Sequence, residues 1–204
     1  MTTLSAKGTR LNRRGLETRA NVLRVAIRVL ADGGHDAVSA NLVAREAGVT
    51  WGTVQHQFGD TDGLWAALLV HISERGGPLL PLPSNVPSIA VRVELIVETM
   101  WDAFDKPTLR AIHNLRQALP RERSELEADF PKTAAALMEW DAAWERACRG
   151  AFRGAGIDRV RMRRVRALLP GAVRGLYVEQ HLGSYADVDD ARRGLVDAIT
   201  AYLN

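Results

Sequence analysis

The 204-residue chain has a single cysteine, Cys148, so it forms no internal disulfide, and no cysteine or histidine cluster stands near it to hold a structural metal. Its five histidines, His35, His56, His71, His113 and His181, lie far apart in sequence. There is no glycine-rich phosphate loop and no serine or cysteine in a recognisable nucleophile motif. These absences argue against an enzyme and imply no cofactor and no metal. No apolar run reaches the roughly 18 residues of a membrane-spanning helix, and the chain opens polar and basic rather than with the apolar core of a signal peptide. A soluble protein of the reducing cytoplasm is expected, with no membrane partner. Acidic residues are scarce in the first thirty positions, where Glu17 alone stands against Lys7, Arg10, Arg13, Arg14, Arg19, Arg24 and Arg28.

What is present is an ordinary globular composition, 47% hydrophobic and 25% charged, in a length that holds one sizeable domain or two small ones. Net charge is only +3, so the positive charge is local rather than general. A basic arm ahead of a small helical module is a footprint for a nucleic acid, although a solvated basic tail has the same composition.

Apolar spacing predicts an all-α chain. From Glu17, residues Val22, Leu23, Ala26, Ile27 and Leu30 form one helical stripe that stops at Gly33-Gly34. Ser39 is placed to cap a second, two-turn helix carrying Leu42, Val43 and Ala47, ended by Gly48. Thr50 is placed to cap a third, with Val54 and Phe58 four apart on its inner face. Asp60 or Thr61 starts a fourth, whose stripe is Leu64, Trp65, Leu68, Leu69 and Ile72. The proline-rich stretch over 76–88 reads as a loop, which puts a domain boundary at 75/76. Further helices are predicted over about 88–104, 107–119, 124–154, 158–183 and 187–203, with a kink or break at Pro170, which lacks the donor for the carbonyl of Arg166.

Two short helices joined by a tight glycine turn make a helix-turn-helix, whose second helix enters the major groove of DNA if its outer face is polar. With Val54 and Phe58 inward, Gly52 and His56 point most nearly outward, flanked by Thr53, Gln55 and Gln57. Glutamine pairs with adenine, threonine contacts a thymine methyl or a phosphate, and histidine donates to guanine or a phosphate oxygen. Thr50, Trp51, Gly52, Thr53, Gln55, His56 and Gln57 are therefore the candidate DNA contacts. Arg13 and Arg14, just ahead of the first helix, are candidate contacts to phosphates or a minor groove. Trp51 either touches a base methyl or sugar, or packs on the helix edge.

The stretch VAREAGVTWGTVQHQFGDTDGLWAALL resembles the helix-turn-helix signature of TetR-family transcriptional regulators. The matching positions are Val43-Ala44, Ala47-Gly48-Val49-Thr50, Gly52-Thr53-Val54 and Phe58. Gln55 replaces the usual tyrosine, Gln57 the common histidine, and Thr61 stands where a phosphate-binding lysine usually begins the fourth helix. The resemblance covers about residues 15–72. It implies an N-terminal DNA-binding module over 1–75 and a C-terminal helix bundle over 76–204 that binds a ligand and dimerises, the last two long helices of each subunit pairing into a four-helix bundle.

Leu168, Leu169, Ala172, Leu176 and Leu182, then Val188, Leu195, Ile199, Tyr202 and Leu203, supply apolar surface for such pairing or for intrachain core. Trp101, Phe104, His113, Trp140, Trp144 and Tyr177 are candidate walls of a pocket suited to an apolar or aromatic small molecule, though each also fits a structural core. The run Arg159, Arg161, Arg163, Arg164, Arg166 reads as a solvated helix face, with contact to an anionic partner as the alternative. The function expected is a dimeric, ligand-released repressor on a palindromic DNA operator. An activator or an architectural protein without a ligand is the alternative.

Overall fold

The structure, a computed structural model, describes residues 5–33, 38–76, 79–80, 88–183 and 187–204. Gly34, His35 and most of the proline-rich stretch expected as a loop lie outside the described residues. Ten α-helices and no β-strand occur among them. They gather into two compact units, one made of residues 1–77 and 106–141, the other of 78–105 and 142–204.

The first unit begins with α1 (Arg13–Asp32), α2 (Ala40–Glu46), α3 (Trp51–Phe58) and α4 (Thr61–Arg75). Each start has a side-chain cap of the kind the sequence offers. Asn12, Ser39, Thr50 and Asp60 accept hydrogen bonds from the backbone N–H of Gly15, Leu42, Thr53 and Gly63 respectively, satisfying donors that the first turn of a helix leaves unpaired. The Asn12 cap starts α1 earlier than apolar spacing showed, so Arg13 and Arg14 form its first turn instead of preceding it. Gly48 follows α2 with φ +68°, the left-handed conformation a glycine adopts without cost. At Gly63 a Cβ would collide with the carbonyl oxygen of Phe58, so the sharp passage from α3 into α4 requires glycine there.

The same unit takes in α6 (Pro107–Ala118), α7 (Arg123–Asp129) and the first part of α8 (Pro131–Ala151). Ile112, Leu115 and Leu137 join Leu30, Val54, Trp65 and Leu68 in one buried cluster. The Asn114 side-chain amide donates to the carbonyl of Leu30 at 2.7 Å. The division of the chain therefore departs from a cut at 75/76. A proline-rich segment marks where the helices are interrupted, but it does not decide on which core the later ones pack.

One long helix expected over 124–154 is two, because Pro131 lacks the N–H that would continue α7 and instead opens α8. The new N-terminus is capped from a distance. The buried Asp62 carboxylate in the first turn of α4 accepts from the backbone N–H groups of Lys132 at 2.9 Å and Thr133 at 2.8 Å. The Thr133 hydroxyl donates back to the carbonyl of Asp62 at 3.1 Å.

The second unit holds α5 (Ile89–Phe104), the rest of α8, α9 (Arg159–His181) and α10 (Val188–Leu203). Its core is Val93, Ile96 and Val97 of α5 with Leu169 and Val173 of α9 and Ile199 and Leu203 of α10. Of the kink or break expected at Pro170, the break does not occur: α9 runs through it. The carbonyl of Arg166, which Pro170 deprives of its helical partner, accepts a hydrogen bond from the Trp144 indole N–H at 3.0 Å.

Candidate nucleic-acid interface

Helix α3 is held from below by Val54 and Phe58, both buried in the cluster shared with α1 and α4. Gly52, Gln55 and His56 are exposed, and Thr53 is half-buried. These four form one outward face of α3. Thr50, also exposed, spends its oxygen on the Thr53 N–H and lies 3.0 Å from the Thr53 hydroxyl, so the two hydroxyls sit together at the N-terminal end of α3. Trp51 is half-buried and packs against the core cluster, which favours the packing role over a free groove contact.

Gln57 does not belong to that face. It is only 4% exposed, and its side-chain amide donates to the carbonyl of Gly15 in α1 at 3.3 Å. Its backbone carbonyl accepts from the Arg19 guanidinium at 2.6 Å. That guanidinium also lies 4.3 Å from the centre of the Phe58 ring, and burial lowers the Arg19 pKa from its usual value. The signal was present in the spacing: at about 100° per residue, position 57 falls within about 60° of Val54 and beside Phe58. Arg19 and Gln57 therefore fasten α3 to α1. Asn21 does the same for the preceding turn, its amide donating to the carbonyl of Ala47 at 3.0 Å. The spacing of α1 gave no reason to single out Arg19 or Asn21, whose partners lie far along the chain.

Of the two arginines, Arg13 is bonded to Glu17 at 2.9 Å on an exposed face, and Arg14 is exposed beside it. The entry to α4 is anchored differently from what a lysine at 61 would give. Asp60 caps the helix and receives Lys132 Nζ at 2.7 Å, and that Lys132 hydrogen bond is the leading cause holding the Asp60 carboxyl below its usual range.

The aromatic residues proposed for a pocket divide between the units. His113 and Trp140 belong to the first, where Trp140 packs against the core cluster. Trp101, Phe104, Trp144 and Tyr177 belong to the second. There Phe104 stacks on Tyr177 with ring centres 4.6 Å apart, Trp101 meets Tyr177 edge-on at 5.9 Å, and the Tyr177 hydroxyl donates to the carbonyl of Phe104 at 3.3 Å. His181, 4.3 Å from Tyr177, extends the group. Trp144 is committed to the Arg166 carbonyl. Cys148 is no nucleophile, since burial pushes its thiol up to about 12.

A family model described as bacterial regulatory proteins, tetR family, matches residues 22–68, the span from α1 through the first half of α4. The chain carries a TetR-family segment. It is thus a DNA-binding transcriptional regulator rather than an enzyme. Solved structures resemble it along nearly its whole length. NalD, the secondary repressor of the MexAB-OprM multidrug efflux pump in Pseudomonas aeruginosa, is 20% identical, with 93% of this chain and 98% of NalD covered and a TM-score of 0.62. EbrR, a multidrug binding protein solved with imidazole, is 22% identical over 98% of each chain with a TM-score of 0.62. SCO1917, a TetR-family member from Streptomyces coelicolor A3, is 20% identical over 92% of this chain and 99% of its own, with a TM-score of 0.60. At these identities the likeness shows the fold. No curated protein matches the chain in sequence. The matched segment takes in the α2–turn–α3 unit. Among the described residues no helix is long and apolar enough to cross a membrane.

Proposed function

We propose that this TetR-family chain is a cytoplasmic repressor that binds a palindromic operator as a homodimer and is released by a small apolar or aromatic effector. The observation that carries the reading is the outward face of α3, where Gly52, Thr53, Gln55 and His56 stand over a fully buried base. One such helix covers too few bases to be selective, and two-fold pairing doubles the contact set. Support for pairing comes from α9 and α10, which leave Leu168, Leu182 and Tyr202 on the surface.

The effector is assigned to the second unit, at the aromatic group formed by Trp101, Phe104 and Tyr177. Helix α8 supplies residues to both units, and its N-terminus is bonded to Asp62 at the start of α4. A change in the set of α8 therefore acts directly on the helix that follows the reading helix. Release requires that the effector bind the DNA-free arrangement more tightly, because equal affinity for both shifts nothing.

The test is selection from random duplexes by the full-length protein, followed by affinity measurements on the selected sequence. A palindromic consensus is expected. His56→Ala is expected to relax base preference at a cost of about 1–3 kcal/mol in specific binding without lowering the melting temperature. Gln57→Ala should lower stability by about 1 kcal/mol, with any change in DNA affinity following from the loosened helix. A selection that yields no consensus, or a His56→Ala protein with unaltered preference, overturns the assignment of the reading face.

A further inference from the structure

The basic arm carries a turn fastened to the reading helix. Ser5 N–H donates to the carbonyl of Thr9 at 2.8 Å, Gly8 N–H to the carbonyl of Ser5 at 3.0 Å, and Thr9 N–H to the Ser5 hydroxyl at 3.1 Å. Ser5 is buried, and Ala6 N–H donates to the carbonyl of His56 at 3.2 Å. A Cβ built on Gly59 would meet the Ala6 methyl at 3.4 Å. Residues 5–9 are thus seated on the C-terminal end of α3 and on the glycine that ends it.

Two cations ride on this turn. Lys7 adjoins the pinned Ala6, and Arg10 follows Thr9; both are exposed, and neither meets a carboxylate among the described residues. Arg13, by contrast, is bonded to Glu17. The Ala6 methyl of the turn that carries them lies against Gly59, two residues before Thr61, the position where the TetR resemblance leads one to expect a phosphate-binding lysine. We propose that Lys7 and Arg10 are phosphate anchors of the DNA complex, carried on a turn locked to the reading helix, and that they take the place of the lysine missing at position 61. The proposal rests on the reading of DNA by α3 described above.

Charges on a loose tail must be ordered at each encounter, whereas charges on a seated turn lose less entropy on binding. Contacts to phosphate fix register without reading sequence, and each neutralised phosphate adds to the salt dependence of binding. Seating the turn that carries the two cations on the carbonyl of His56, through the Ala6 N–H, couples that register to the side chain proposed to face the bases.

Full-length protein and its selected duplex, titrated by fluorescence anisotropy over a salt series, decide the matter. Lys7→Gln and Arg10→Gln are each expected to reduce the slope of log affinity against log salt by about 0.9, with base preference and melting temperature unchanged. Ala6→Pro removes the N–H that the His56 carbonyl accepts while keeping both cations, and it too should reduce the slope. Thr61→Lys in the Lys7→Gln, Arg10→Gln protein should restore about one unit of slope. An unchanged slope in the Gln variants of a protein that still selects its consensus overturns the anchors. A slope lost in those variants but retained in Ala6→Pro overturns the seating. A wild-type protein that prefers no sequence at all fails the earlier reading instead.

Discussion

The two units keep their large apolar side chains differently. In the unit that carries the reading helix, Leu30, Leu64, Trp65, Leu68, Leu69 and Leu115 are withdrawn almost completely from solvent. In the other, full burial centres on α5, while α9 and α10 leave Leu168 57% and Leu182 72% exposed, with Val160 and Tyr202 also at the surface. The first unit also leaves Leu16, Val70 and Met138 at its surface, but its interior is closed by α6 and the start of α8 as well as by α1 to α4. The second closes around one helix and displays apolar residues on the two that the proposed dimer uses. A reading head must present a few polar groups at fixed positions, which demands a rigid base. A pairing surface must remain uncovered until its copy arrives.

The largest expected effect follows from the closed core. Trp65→Ala removes a side chain that is 1% exposed at the centre of the first unit, and it should destabilise the protein by about 3–5 kcal/mol in denaturant titration. A loss below about 1 kcal/mol would show that the first unit is not the tightly packed body described and would break the comparison.

Next comes the bond that joins α4 to α8. Asp62→Ala leaves the N–H groups of Lys132 and Thr133 without their buried acceptor, at a cost of about 1–3 kcal/mol. Amide hydrogen exchange should rise at those two residues, and operator affinity should fall because α4 loses its anchor. Asp62→Asn keeps one acceptor oxygen and should fall between the wild type and the alanine variant. Exchange that stays slow at Lys132 and Thr133 in Asp62→Ala would show that the carboxylate does not hold the start of α8.

Much of this was legible in the sequence because it is local. Caps at Ser39, Thr50 and Asp60, the left-handed Gly48, and the inward Val54 and Phe58 all act within a turn or two of themselves. Periodicity likewise located α5, α6, α9 and α10 to within a residue or two. What escaped depends on partners far along the chain. Nothing near Asp62 announces that it caps a helix starting at Pro131, and nothing near Trp144 announces that it serves the carbonyl freed by Pro170. The return of α6 to the first core is of the same kind. Gln57 is the instructive exception, because its inward position followed from the helical angle; its polarity suggested the groove, and its geometry put it beneath the reading helix.

The smallest expected effect on the chain's own stability is the sharpest test of the second unit. Leu182 is 72% exposed just beyond the end of α9, so Leu182→Ser removes little buried surface and should change monomer stability by no more than about 0.5 kcal/mol. Leu168→Ala, in the middle of α9, should behave in the same way at concentrations where the protein is monomeric. If these residues face a second copy, dimer stability depends on protein concentration by mass action. The wild-type melting temperature should then rise with concentration, and that rise should shrink in both variants. Sedimentation equilibrium would register the same change as a weaker dimer. A substantial loss of stability at high dilution would instead place Leu168 and Leu182 in the chain's own core. Variants that dimerise as tightly as the wild type would move the pairing surface away from this face of α9, and the contrast between a closed unit and an open one would lose its cause.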